Sequence, residues 1–323
     1  MKAVFVEQCG GPEQLKYADI PTPEPGPGQA RVKVAASGVN FIDIYFRTGL
    51  YKAPTPIVLG NEGAGTVEAI APDVTEVAIG DRVAWAMTRG SYAEFAVVAA
   101  AQLVKIPAGI DFTTAAAAML QGMTAHYLTH STFPLKPGDA ALVHAAAGGT
   151  GQLIVQMAKL RGARVFGTVS TEAKAVLARQ AGCDEVILYT QQDFQPEIKR
   201  LTGGRGVDVV YDSVGAATFM QSLDSLRQRG MMVSFGNASG PVPPIEPLIL
   251  SQKGSLFLTR PSLAHYCATR EDLVWRSGDL FRWIAEKKLT LNVSQTYPLA
   301  NAAQAHRDLE GRKSTGKLVL LVQ

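Results

Sequence analysis

Hydrophobic and polar positions follow two different patterns along this chain. Residues Gln29 to Ala36 alternate polar and apolar after the Pro/Gly-rich stretch Pro21 to Gly28. Further short strands fit Gly65 to Ile70, Asp81 to Trp85 and Ala93 to Val98. Strands this short and closely spaced predict a compact, partly closed β body. At Asp111 the pattern changes, and Thr113 to Leu120 reads as a helix former that carries the chain into a next domain. From Asp139 to about Thr259, buried-type strands alternate with helices. The strands are the apolar run opening at Ala140, then Arg164 to Val169, Glu185 to Leu188, Val207 to Tyr211, Met231 to Phe235 and Ser255 to Leu258. The helices between them are Gln152 to Arg161, Glu172 to Gln180, one near Glu197 to Leu201 and one near Thr218 to Leu226. Crossovers of this kind predict an α/β domain with a doubly wound parallel sheet. Its last strand lies at an edge, where Leu256, Phe257 and Leu258 make an apolar rim that needs covering, expected from a second copy of the chain. After Pro261 amphipathic helices return, including Leu273 to Lys288 with Leu280, Trp283 and Ile284 at helical spacing. The chain closes on Lys317 to Val322, expected to be a strand of the first domain.

Composition narrows the class. A chain of 323 residues that is 47% hydrophobic and 18% charged can bury a large core and should divide into about two domains. The net charge of +3 is small, and no basic run interleaved with aromatics appears, so specific nucleic-acid binding has no electrostatic footprint. No apolar run reaches the length of about 18 residues that a membrane span needs, and Met1 to Cys9 lacks a signal-peptide core, so the expected location is cytoplasmic. Cys9, Cys183 and Cys267 are odd in number and far apart, which argues against a disulfide framework.

The stretch Ala140 to Gly151 climbs from an apolar run into a glycine cluster, with a helical segment beginning at once beyond it. A helix starting at a tight turn aims free backbone N–H groups and the positive end of its dipole at an anion, and side chains there would hold the anion off. Read as a variant of G-x-G-x-x-G, the small positions are Ala146, Gly148 and Gly151, with Gly149 and Thr150 completing the seat for a dinucleotide pyrophosphate. NAD-specific sites place an acid at the end of the following strand; here the tip is Ser170. Ser170 and Thr171 can donate hydrogen bonds and Lys174 can supply positive charge to a 2′-phosphate, which favours NADPH over NADH. Glu172 complicates this reading, either as a ribose ligand or as an acid favoured by the helix dipole in the first turn.

Several separated motifs resemble the medium-chain dehydrogenase/reductase superfamily: Leu59 to Val67, Gly80 to Val83, the glycine-rich stretch and Gly316 to Val319. Within it, Gly38 to Tyr45, Ala145 to Gly151, Tyr211 to Gly215 and Ser234 to Asn237 are similar to the NADPH-dependent quinone oxidoreductases of the zeta-crystallin branch. The resemblance implies a Rossmann domain, residues 123–262, inserted into a β-rich GroES-like catalytic domain made of residues 1–122 and 263–323, and a homodimer. It implies that Tyr189 lines the 2′-phosphate site, that Phe41, Tyr45, Thr124, Asn237 and Arg260 surround the nicotinamide, and that Phe235, Gly236 and Lys317 also contact the cofactor. Asn40, Tyr45 or Tyr51 would hydrogen-bond the oxyanion that a quinone becomes on accepting hydride. Positions that hold catalytic zinc in relatives correspond to Asn40, Asn61 and roughly Gln121, and amides are poor zinc ligands. The structural-zinc lobe is also missing. His126 and His130 sit four apart with no thiol or carboxylate beside them, so the expected site is metal-free. The implied activity is zinc-independent NADPH:quinone oxidoreduction. An enone or alkenal double-bond reductase and a non-catalytic, crystallin-like NADPH-binding protein stand as alternatives.

Overall fold

The computed structural model describes residues 1–311 and 314–322. It divides into two compact units, Met1–Met123 with Tyr266–Gln323, and Thr124–His265.

In chain order the first unit contributes β1 (Lys2–Val6), β2 (Lys16–Asp19), β3 (Gln29–Val39), α1 (Phe41–Thr48), β4 (Ile57–Val58), β5 (Glu62–Ile70), β6 (Arg82–Ala86), β7 (Phe95–Ala99), β8 (Val104–Lys105) and the start of α2 (Phe112–Tyr127). The second unit follows with β9 (Ala140–His144), α3 (Gly149–Leu160), β10 (Arg164–Val169), α4 (Glu172–Ala181), β11 (Glu185–Leu188), α5 (Phe194–Leu201), β12 (Val207–Asp212), α6 (Phe219–Ser225), β13 (Leu226–Ser234), α7 (Leu248–Gln252) and β14 (Phe257–Thr259). After α8 (Leu263–Tyr266) the chain returns to the first unit as α9 (Arg270–Ala285), β15 (Val293–Pro298), α10 (Ala302–Glu310) and β16 (Lys317–Leu321).

The first unit is built on β3, which pairs antiparallel with β5, β7 and β16. Its alternating residues put Ala30, Val32 and Val34 into a core with Val67, Val83, Trp85, Val98 and Leu103. Strand β5 begins three residues earlier than the sequence pattern predicts, because glycine has low strand propensity and hides the strand. Here the glycines make room: a Cβ at Gly65 would stand 2.1 Å from the Lys33 carbonyl oxygen, and one at Gly63 would stand 2.5 Å from the Trp85 ring.

The second unit carries a six-stranded sheet in the order β11-β10-β9-β12-β13-β14, parallel throughout. Counted within the unit this is the 3-2-1-4-5-6 order of a Rossmann sheet, with the order reversing beside β9. Leu142, Phe166, Ile187, Phe194, Ile198, Val210 and Leu223 form its core. β14 is an edge strand, with Phe257 57% and Leu258 38% exposed. Leu256 corrects the expected rim: it precedes the strand and is 6% exposed within the same core.

Candidate nucleotide and acceptor site

Strand β9 ends at His144, and the chain then turns through Ala145 at φ 51°. Left-handed backbone therefore falls on Ala145, while Ala146, in the place of the usual first glycine, is fully buried. Its methyl fits because β10 carries Gly167 opposite; a Cβ there would meet Ala146 Cβ at 2.8 Å. Gly148 caps α3 with extended backbone, and neither a side-chain cap nor an acid occupies the first turn. A Cβ on Gly151 would lie 2.2 Å from the Ala145 carbonyl oxygen, so this position must be glycine for α3 to pack on the turn. Half-buried Gly148, Gly149 and Thr150 thus leave an uncapped helix start that fits a pyrophosphate.

Val169 of β10 pairs with Leu188 of β11, so Ser170 and Tyr189 leave the sheet side by side. Ser170 is half-buried, and Tyr189 is 42% exposed. Thr171 caps α4, its hydroxyl oxygen accepting the Lys174 N–H at 3.3 Å, and this sets the half-buried Lys174 one turn along. Glu172 lies in the first turn of α4 and pairs with Arg179 on its own helix at 2.8 Å. Ser170 and Thr171 thus lie just past the strand tip, with Lys174 in the first turn of α4.

At the ends of β12 and β13, Asp212 Oδ1 accepts the N–H groups of Val214 and Gly215 at 2.7 and 3.0 Å, and Phe235 N–H donates to the Asp212 carbonyl at 2.8 Å. Gly236 packs so closely that a Cβ would stand 2.3 Å from the Ser213 carbonyl oxygen. Arg260, just beyond β14, donates to the Gly236 carbonyl at 3.2 Å. With the Asn237 amide oriented to satisfy its neighbours, its nitrogen donates to the same carbonyl at 2.9 Å and its oxygen accepts from Arg260 Nη2 at 3.0 Å. The fold brings Phe235, Gly236, Asn237 and Arg260 together. Thr124 lies buried on α2.

In the first unit α1 has two faces. Phe41 and Tyr45 share one, with ring centroids 6.2 Å apart, and Tyr51 packs on Tyr45 at 5.2 Å. Asn40, Asp43 and Arg47 occupy the other and enter a buried polar network. Asn40 is placed there as a structural residue: its amide donates to Glu62 Oε2 at 2.9 Å and the Gly38 carbonyl at 3.2 Å, and its oxygen accepts from Lys317 Nζ at 2.7 Å. With both amide hydrogens committed, Asn40 has none left for an acceptor's oxyanion, contrary to the expectation. Lys317 departs from its expected role in the same way. It is 2% exposed, and its ammonium pairs with fully buried Glu62 at 2.5 Å. The other Glu62 oxygen accepts Leu120 N–H at 2.5 Å.

Asn61 donates to Asp43 Oδ1 at 2.7 Å, and Asn40 N–H donates to Asp43 Oδ2 at 2.9 Å. Proton positions in the rest of the chain follow from Arg47, which can only donate. It donates to His306 Nδ1 at 3.2 Å, so the His306 proton sits on Nε2 and points to the Tyr92 oxygen at 3.2 Å; the Tyr92 hydroxyl then donates to Asp43 at 3.3 Å. Arg47 also pairs with Glu310 through two bonds, of 2.6 and 3.0 Å. Burial raises the Asp43 carboxyl to about 6, despite the bonds from Asn61 and Asn40, and burial together with the Arg47 charge lowers His306 to about 3. Asp43, Arg47, Tyr92 and His306 were not legible as a group in the sequence. The one local signal is Asp43 and Arg47 at i and i+4 on a short, mostly apolar helix.

Among the described residues no group of three or more His, Cys, Asp and Glu side chains could hold a metal ion. His126 and His130 stack at 4.4 Å, with His130 Nδ1 directed at Thr129 Oγ1 and the His126 carbonyl.

Residues 26–108 match the alcohol dehydrogenase GroES-like domain, and residues 149–273 match a family described as zinc-binding dehydrogenase. The chain is 49% identical to a quinone oxidoreductase of Pseudomonas aeruginosa over 322 residues, covering 99% of both. It is 44% identical to a 2-haloacrylate reductase of a Burkholderia species, again covering 99% of both. The Escherichia coli quinone oxidoreductase complexed with NADPH superposes with a TM-score of 0.97 at 43% identity, over 99% of this chain and 100% of that one. The α/β architecture and the full-length likeness agree, and the chain belongs to the quinone oxidoreductase branch of the medium-chain dehydrogenase/reductase superfamily.

Proposed function

We infer that this enzyme is a zinc-independent NADPH:quinone oxidoreductase. The observation that carries the reading is the fate of the two amides at the metal-ligand positions. Asn40 and Asn61 are consumed by Glu62, Lys317 and Asp43, so the chain's own donor set suits an acceptor that takes hydride without a Lewis acid. A quinone is such an acceptor. Bound NADPH supplies the hydride.

The second unit is assigned to the cofactor. Gly148, Gly149, Thr150 and Gly151 seat the pyrophosphate beside buried Ala146. Ser170, Thr171, Lys174 and Tyr189 receive the 2′-phosphate, and Phe235, Gly236, Asn237, Arg260 and Thr124 hold the nicotinamide end. The first unit is assigned to the acceptor. Phe41 and Tyr45 wall it, and the hydroxyls of Tyr45 and Tyr51 donate to the oxygen that gains charge. Asn40 and Lys317 act behind them by fixing the start of α1. Positioning of this kind accounts for about 7–11 kcal/mol of barrier in well-oriented reactions.

We place the protein in the cytoplasm, as a homodimer through the exposed β14 edge at Phe257 and Leu258. Among the described residues no helix is long and apolar enough to cross a membrane.

Likeness to the 2-haloacrylate reductase favours a second reading, reduction of an activated alkene. Purified protein assayed with NADPH and NADH against a panel of quinones and conjugated alkenes separates the two. Hydroquinone formed with NADPH is expected. A saturated product alone favours the second reading, and tight NADPH binding with no turnover of any acceptor favours a crystallin-like role.

A further inference from the structure

A second buried polar chain lies directly beneath the glycine turn and has no part in the assignment above. His144, the last residue of β9, is 1% exposed. Its Nδ1 is 2.8 Å from Thr168 Oγ1 on β10, and its Nε2 is 2.9 Å from Ser222 Oγ on α6. Ser222 Oγ in turn lies 3.2 Å from Asp212 Oδ2 at the end of β12. Asp212 also accepts the Thr218 hydroxyl at 2.7 Å and the N–H groups of Val214 and Gly215.

Direction in this chain is determined. Every partner of the Asp212 carboxylate is a donor, so the Ser222 proton points to Asp212. The Ser222 oxygen then accepts His144 Nε2–H, leaving His144 Nδ1 to accept the Thr168 hydroxyl. Burial lowers the His144 pKa and keeps the ring neutral, as this arrangement requires. Ser, His and Asp here are not a hydrolase triad. Serine sits between the other two, with all three side chains buried, so no nucleophile faces a substrate.

The relay adds side-chain links at the ends of strands that the sheet already pairs, β9 with β10 and with β12, and extends them to α6. Ala145 to Gly151 follows His144 directly, and Ala146 N–H donates to the Thr168 carbonyl at 3.2 Å. Val214 and Gly215 hang from Asp212, and Ser213 packs under Gly236. Four buried polar side chains would be costly in a core unless satisfied, and here each has its partner. A network of this kind holds strand ends in one relative position, which apolar packing does less specifically.

We propose that His144 is a positioning residue for the dinucleotide, holding the 145–151 turn and the 212–215 loop at a fixed spacing through Thr168, Ser222 and Asp212. This rests on the NADPH reading above. Its test compares two ligands by calorimetric titration of the full chain and of the variants Ser222→Ala, Thr168→Val and His144→Phe. NADPH needs both the turn and the loop, whereas 2′-AMP, which has no 5′-phosphate to place on the turn, reaches only the 2′-phosphate site at the tip of β10. The expected result is NADPH affinity about tenfold weaker in the variants, with 2′-AMP affinity within about twofold of the parent. Parallel weakening of both ligands, or unchanged affinities with only a lower Tm, would overturn the proposal and leave His144 a structural residue. Should His144→Phe fail to fold, the two hydroxyl deletions decide by the same criterion. A parent chain that binds neither ligand refutes the NADPH reading itself, and the positioning role with it.

Discussion

Asp43 and His306 belong to one hydrogen-bonded chain but titrate in opposite senses. Burial raises Asp43 from 3.8 to about 6, so the folded protein holds that proton more tightly than the unfolded chain does. Its contribution to stability is complete below about pH 4 and is lost as pH rises through 6, at most roughly 3 kcal/mol. His306 falls from 6.5 to about 3, so its contribution is intact above 6.5 and is lost as pH falls toward 3, at most about 5 kcal/mol. Between pH 6.5 and 3 the histidine outweighs the aspartate. Denaturant titrations across this range should show His306→Gln flattening the acid decline and Asp43→Asn steepening it; curves parallel to the parent would contradict the assignment. Lys317 and Glu62 make a second residue-scale case. Removing either strands a buried charge, so Lys317→Met should cost about 3–5 kcal/mol in urea unfolding, while Lys317→Met with Glu62→Leu should recover much of it. Lys174→Ala should weaken NADPH more than NADH in titrations of both, and equal losses would place the 2′-phosphate elsewhere.

At the scale of elements, function depends on how helices begin. α1 turns Phe41 and Tyr45 one way and Asp43 and Arg47 the other, so a rigid polar network on its back fixes the aromatic face. α3 begins against the Ala145 carbonyl, where Gly151 leaves no spare space. Gly151→Ala should therefore lower stability by about 1–3 kcal/mol and weaken NADPH binding together, measured by thermal unfolding with and without the cofactor. An unchanged cofactor-induced shift in Tm would mean the turn tolerates the methyl. Regular elements were largely readable in advance. The sequence pattern did not predict β1, β2, α1 or β15, and tertiary packing overrides local preference at the glycine-bearing start of β5 and in the extension of α2 to Tyr127.

For the whole molecule, the parallel sheet ends in an edge strand whose apolar side chains face outward. Such edges invite pairing with another chain. Phe257→Glu should shift the protein from dimer to monomer in sedimentation, and a parent that already sediments as a monomer would remove the proposed interface.

By itself the sequence determined what depends on near neighbours. The alternation of strands and helices specified the doubly wound sheet, the glycine spacing specified an uncapped start to α3, and Ser170 stands where an NAD site would carry an acid. Those features arise from backbone periodicity and steric demands within a few residues. Tertiary structure alone decided that Asn40 and Lys317, 277 positions apart, share a hydrogen bond, and that His306 closes a chain from Arg47 to Asp43. It also turned Leu256 inward and left Phe257 outside. Side chains so distant in sequence meet only when the fold closes, and their partners, once buried, determine whether an amide or ammonium is free to bind a ligand or is committed to the interior.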